Sequence, residues 1–123
     1  MVIKRFEEMK VWQDARVLTK SIYDATSIGK FSKDFGLRDQ IQRASVSAMS
    51  NIVEGYERDN NKEFIKFLGY SKGSTGEVRS LLYVALDNLY INETNFNELK
   101  EQCILISQQI SNFEKYLRKS IVK

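Results

Sequence analysis

Over residues 96–117, apolar side chains recur at spacings of three and four without a gap: Phe96, Leu99, Cys103, Ile106, Ile110, Phe113 and Leu117. This rhythm holds a stripe on one side of an α-helix for three heptads, and a β-strand has no use for it. No proline occurs in the 123 residues, so no ring interrupts a helix anywhere. The chain is therefore expected to be all-α.

Three further helices follow from the same reasoning. The first is expected at about 8–27, where Val11, Ala15, Leu18, Ile22 and Ala25 share a face flanked by Trp12 and Tyr23. Arg16 lies one turn beyond Trp12, within reach of a cation–π contact, and Gly29 supplies the left-handed stop. The other two are expected at about 34–58 and 61–91, and the 96–117 stripe belongs to a helix at about 95–119. Asn60 with Glu63, and Asn95 with Glu98, have the spacing of capping boxes at the last two starts. Loops of a few residues make neighbours antiparallel, which predicts an up-down-up-down four-helix bundle forming one domain over residues 1–123.

Two of these helices carry more apolar or bare surface than a lone bundle needs. At about 100° per residue, Leu37, Ile41, Ala44, Ala48 and Ile52 form one face of the second helix. Val46, Met49, Val53 and Tyr56 form another, interrupted by Gln42. A surface helix needs only one apolar stripe. The third helix has a core face of Phe64, Phe67, Leu68, Ser71, Thr75, Val78, Leu82, Ala85 and Leu89. Opposite it run Gly69, Gly73, Gly76 and Ser80, and "LLYVAL" at 81–86 is apolar all round. Each helical glycine costs about 0.5–1 kcal/mol relative to alanine, so three in a strip point to a close neighbour. A symmetric homo-oligomer is the simplest way to cover both surfaces. Its expected contacts are Val46, Met49, Val53, Tyr56, Gly69, Gly73 and Gly76, with Arg43, Asn51 and Glu54 as a polar network fixing register.

Chemistry is poorly served by this composition. Histidine is absent and Cys103 is the single cysteine, so Cys–His catalysis and a cysteine or histidine metal site both lack their residues. "GSTGE" at 73–77 lacks the lysine and loop context of a phosphate-binding loop. Glu54 and Glu57, one turn apart, read as a solvated face. Neither an enzyme nor a cofactor, metal or small-molecule substrate is expected. One cysteine and no apolar run of membrane-spanning length suggest a cytoplasmic protein without a membrane partner.

Certain residues also bear a family resemblance. "VWQ" at 11–13, Leu37, Gln40-Ile41-x-Arg43-Ala44-x-x-Ser47 and Asn51-Ile52-x-Glu54-Gly55 are the first of them. Phe64, Phe67-Leu68 and Gly73-Ser74-x-x-Glu77 continue the series. In order and spacing this resembles the bacterial 23S rRNA-intervening sequence proteins, to which accessory proteins of diversity-generating retroelements are related. The resemblance implies a four-helix bundle, a ring-like homopentamer and an association with RNA. Met49 departs from it, since members usually carry proline there, so the ground for a kink is missing while the helical register stays.

Charge separates the remaining function classes. The net charge is +3, but residues 115–123 alone hold Lys115, Arg118, Lys119 and Lys123 with no acid, leaving −1 for the rest. Cations at a helix C-terminus favour the macrodipole, and they also make a patch for a polyanion. In an up-down-up-down bundle this end also gathers Lys4, Arg5, Arg58 and Lys62, interspersed with Glu7, Glu8, Asp59 and Glu63. Non-enzymatic RNA binding through that end is the first reading; an adaptor that binds another protein is the second.

Overall fold

The computed structural model describes residues 3–121, with the side chain of Ile121 left aside. Four α-helices make up the chain: α1 (Lys10–Thr26), α2 (Phe35–Glu57), α3 (Asn61–Asp87) and α4 (Glu93–Ile121). One-turn 3-10 helices at Phe6–Glu8 and Phe31–Lys33 precede α1 and α2. Each helix packs against its neighbour in sequence, and α1 closes against α4, giving the expected antiparallel bundle. The stripes that defined the helices are its core. Val11, Ala15, Leu18 and Ile22 meet Ile41, Ala44 and Ile52, with Leu68, Val78, Leu82, Ile106 and Ile110 opposite.

Capping chemistry sets the helix starts. The Asp34 carboxylate accepts from Leu37 N–H, and Asn60 Oδ1 from Glu63 N–H as expected. The start of α4 differs. Asn92, not Asn95, supplies the cap, accepting from Asn95 N–H at 2.7 Å, so α4 begins two residues earlier. Phe96 N–H bonds the Asn92 carbonyl, which consumes the first backbone donor that an Asn95 cap would have left free. α2 runs unbroken through Met49, in line with the missing proline.

The end of α3 corrects another expectation. Leu89, placed on the core face by its spacing, is 83% exposed and adopts a left-handed φ of 61°. Tyr90 N–H reaches the Ala85 carbonyl and Leu89 N–H the Leu86 carbonyl, the double hydrogen bond of a helix-terminating motif that normally uses glycine. The chain turns out of the helix at Asn88, and the periodicity beyond it has no helix to act on. Tyr90 is thereby turned inward. Its ring lies 5.4 Å from that of the fully buried Phe31, and its hydroxyl donates to Asp34 at 2.9 Å. The Asp34 hydrogen bond raises the Tyr90 pKa. Phe31 and Tyr90 close the end of the bundle formed by the α1–α2 and α3–α4 connections.

Cys103 lies on the buried stripe of α4 at 1% exposure. Burial pushes its thiol up to about 12, with the Arg79 charge acting in the opposite direction. The thiolate is the nucleophile, so a thiol held protonated and shielded is doubly protected. Alkylation by iodoacetamide should be very slow in the native protein and complete within minutes in denaturant. Fast native labelling would mean that α4 is rotated relative to this packing.

Candidate nucleic-acid interface and assembly face

Long-range contacts gather both ends of the chain with the α2–α3 turn. Tyr56 Oη, near the end of α2, donates to the Ile3 carbonyl at 2.7 Å. Phe64 in the first turns of α3 packs edge-on against Phe113 of α4, with ring centroids 5.1 Å apart. This end therefore carries Lys4 and Arg5 before α1, Arg58 at the turn, Lys62 on α3, and Lys115, Arg118 and Lys119 on α4, all exposed. Lys123 lies outside the described residues.

These cations differ in their freedom. Arg58 is engaged by Glu54 and Glu63, each at 3.7 Å, and its guanidinium lies 4.8 Å from the Phe67 ring centroid. Among the described residues no ion pair involves the side chains of Lys4, Arg5, Lys62, Lys115, Arg118 or Lys119. Arg118 and Lys119 occupy the last turn of α4, where the helix dipole attracts cations whatever their other role.

The residues expected at subunit contacts fall into three groups. Val46 is 39% exposed, and Met49 and Val53 are half-buried beside it. Met49 and Val53 share a shallow depression with Phe6 and Trp12, so the second stripe of α2 continues onto α1. Val17, 57% exposed, lies farther round α1 in a depression with Trp12, Arg16 and Lys20, and was not singled out by spacing. The Arg16 guanidinium lies 5.9 Å from the Trp12 ring centroid. Gly73 and Gly76 form the second group. A Cβ at either would meet nothing within 4 Å, and one at Gly69 would meet only Glu114 at 3.8 Å. No crowding within the subunit accounts for this bare strip.

The third group has partners inside the subunit. Tyr56 is held by Ile3 and by edge-on contact with Phe64. Asn51 Nδ2 donates to the Ser47 carbonyl and hydroxyl, and the Ser47 hydroxyl lies 2.9 Å from that of Ser74 on α3. The Ser47–Ser74 contact ties α2 to α3, and the Asn51 amide holds Ser47 from within α2. Glu54 pairs with Arg58, while Arg43 is exposed. Part of the small-residue content of α2 is also explained within one chain. Ala44, Ser45, Ala48 and Gly55 are buried, and the Ala48 carbonyl accepts the Ser71 hydroxyl of α3 at 2.6 Å.

A groove between α3 and α4, of about 500 Å³, escaped the sequence reading. Lys72 and Arg79 line one wall and Lys115 the other. The spacing of these cations on α3 carries no signal of a groove; only the neighbouring helix makes them one side of a channel. Among the described residues no cluster of three histidine, cysteine or acidic side chains is arranged to hold a metal, and no helix is long and apolar enough to cross a membrane.

No curated protein matches the chain significantly. Among solved structures, it is similar to a protein of unknown function from the S23 ribosomal protein family of Bacteroides thetaiotaomicron, with a TM-score of 0.77 at 19% identity. The match covers 85% of this chain and 98% of that one, and at this identity it speaks for the fold. Residues 7–112 match the family described as 23S rRNA-intervening sequence protein. With the bundle, this match over most of its length shows that the chain belongs to the 23S rRNA-intervening sequence protein family.

Proposed function

We propose that the protein is a non-enzymatic homo-oligomer, a pentamer by family resemblance, that binds RNA through its basic end. The observation that carries this reading is the convergence of seven described cations from three separate stretches of chain on one end of the bundle, only Arg58 of them in an ion pair. Repetition around a ring would multiply a field that is weak in one subunit. Binding of this kind is dominated by phosphates and carries a steep salt dependence.

The test is a salt titration of affinity for a labelled single-stranded oligouridylate. Replacing Arg118 and Lys119 together with alanine should weaken binding and lower the log–log salt slope by about 1.4, the release expected for two single-strand phosphates. If these residues serve only the helix dipole, the double variant loses a little thermal stability and binds as before. No RNA affinity in the wild type at low salt would remove the RNA reading. A protein-adaptor role then has its own support: Ile28, Phe35 and Leu89 are 63–83% exposed around the connections at the opposite end.

A further inference from the structure

We infer that the α3–α4 groove continues the basic end as a track for the phosphodiester backbone of a single RNA strand; this rests on the RNA reading and adds a site to it. Lys115 stands three and four residues before Arg118 and Lys119 on the same helix, so it links the helix end to the groove. Lys72 and Arg79 lie seven residues, about two turns, apart on α3, as Gln108 and Lys115 do on α4. The two rows face each other across antiparallel helices. From Lys119 to Ile104 the track runs about 22 Å along α4.

Three features favour a strand backbone over an acidic protein. Among the described residues Lys72, Arg79 and Lys115 take part in no ion pair, so none needs to be released before meeting an anion. The rest of the lining is Ser107, Gln108, Ser111 and Asn112, hydroxyl and amide groups suited to phosphate oxygens, with Ile104 as the one apolar residue. Protein contacts instead centre on apolar and aromatic anchors, which this groove lacks. A cleft between two packed helices admits one strand, and without aromatic side chains it offers no stacking platform. Glu114, on the shoulder beside Gly69, is the opposing charge.

The experiment measures oligouridylate affinity for the Lys72→Ala/Arg79→Ala variant, with Lys30→Ala/Lys33→Ala at the far end as a charge-matched control. The groove variant should bind about tenfold more weakly with a salt slope lower by about 1.4, while the control loses less than twofold. Glu114→Gln should bind more tightly than the wild type. Lys30, Lys33, Lys72 and Arg79 are exposed and Glu114 is half-buried, and circular dichroism verifies that the helices persist. A groove variant that binds like its control overturns the track, and the same result follows if an acidic protein is the true occupant. If Arg118→Ala/Lys119→Ala still weakens binding in that case, the basic end survives as the RNA site and only the groove is lost.

Discussion

Replacing Val46 or Met49 with aspartate should convert the protein from an assembly several times 14.3 kDa into a monomer of 14.3 kDa, read by light scattering after size exclusion. The reason is desolvation. If the second apolar stripe of α2 lies at a subunit contact, each aspartate buries an unpaired carboxylate there, at about 3–5 kcal/mol per contact. That is about a hundredfold or more in affinity at each contact. In a free subunit the Val46 side is 39% exposed, so the carboxylate reaches water and the helices persist. Met49 packs partly on the core, which makes Val46→Asp the cleaner of the two. Gly73→Ala separates the two levels of structure. Its Cβ meets nothing in the subunit, so it should strengthen the isolated helix by about 0.5–1 kcal/mol while weakening an assembly that uses the strip. A wild type that is monodisperse at 14.3 kDa at micromolar concentration ends the oligomer proposal.

Gly55→Ala should have the largest effect on folding of any single methyl addition in α2. The new Cβ would lie 2.7 Å from Phe67 Cβ, 3.0 Å from the Phe64 ring and 3.3 Å from the Phe64 carbonyl. Two of these three atoms belong to the α3 backbone or are attached directly to it, so a change of rotamer relieves nothing. The helices must part at this contact. Overpacking of this kind costs about 1–3 kcal/mol, against a gain of about 0.5–1 kcal/mol from alanine's better helix propensity. The balance is a net loss of up to about 2.5 kcal/mol, and a mid-range loss of about 1 kcal/mol should lower the melting temperature by roughly 5 °C. An unchanged or raised melting temperature would show that α2 and α3 are farther apart than described.

Gly55 marks where the sequence stopped being informative. Its place in a family-like motif was visible, but glycine in a helix reads the same whether it faces Phe67 or open solvent, as Gly73 does. Only the distance between helices distinguishes them. The same limit applies to Leu89, whose three-and-four spacing continues the α3 stripe after the helix has ended. It applies to Asn51, whose amide is taken up through Ser47 toward Ser74. Arg58 and Lys62 are close neighbours in sequence, yet Arg58 is tied by two acids and Lys62 is in no ion pair among the described residues.

By itself the sequence determined the helices, their order and the faces that pack inward. Val11, Leu18, Ile41, Ile52, Leu68, Leu82, Ile106 and Ile110 are buried where their periodicity puts them. Periodicity is a local property, fixed by 3.6 residues per turn, so it survives in a linear string. The tertiary structure alone decided which small residues are crowded and which are bare, and where the polar caps fall. It also decided that Lys72, Arg79 and Lys115 line one groove. These depend on the separation and rotation of helices distant in sequence, which many side chains set together and no short stretch encodes.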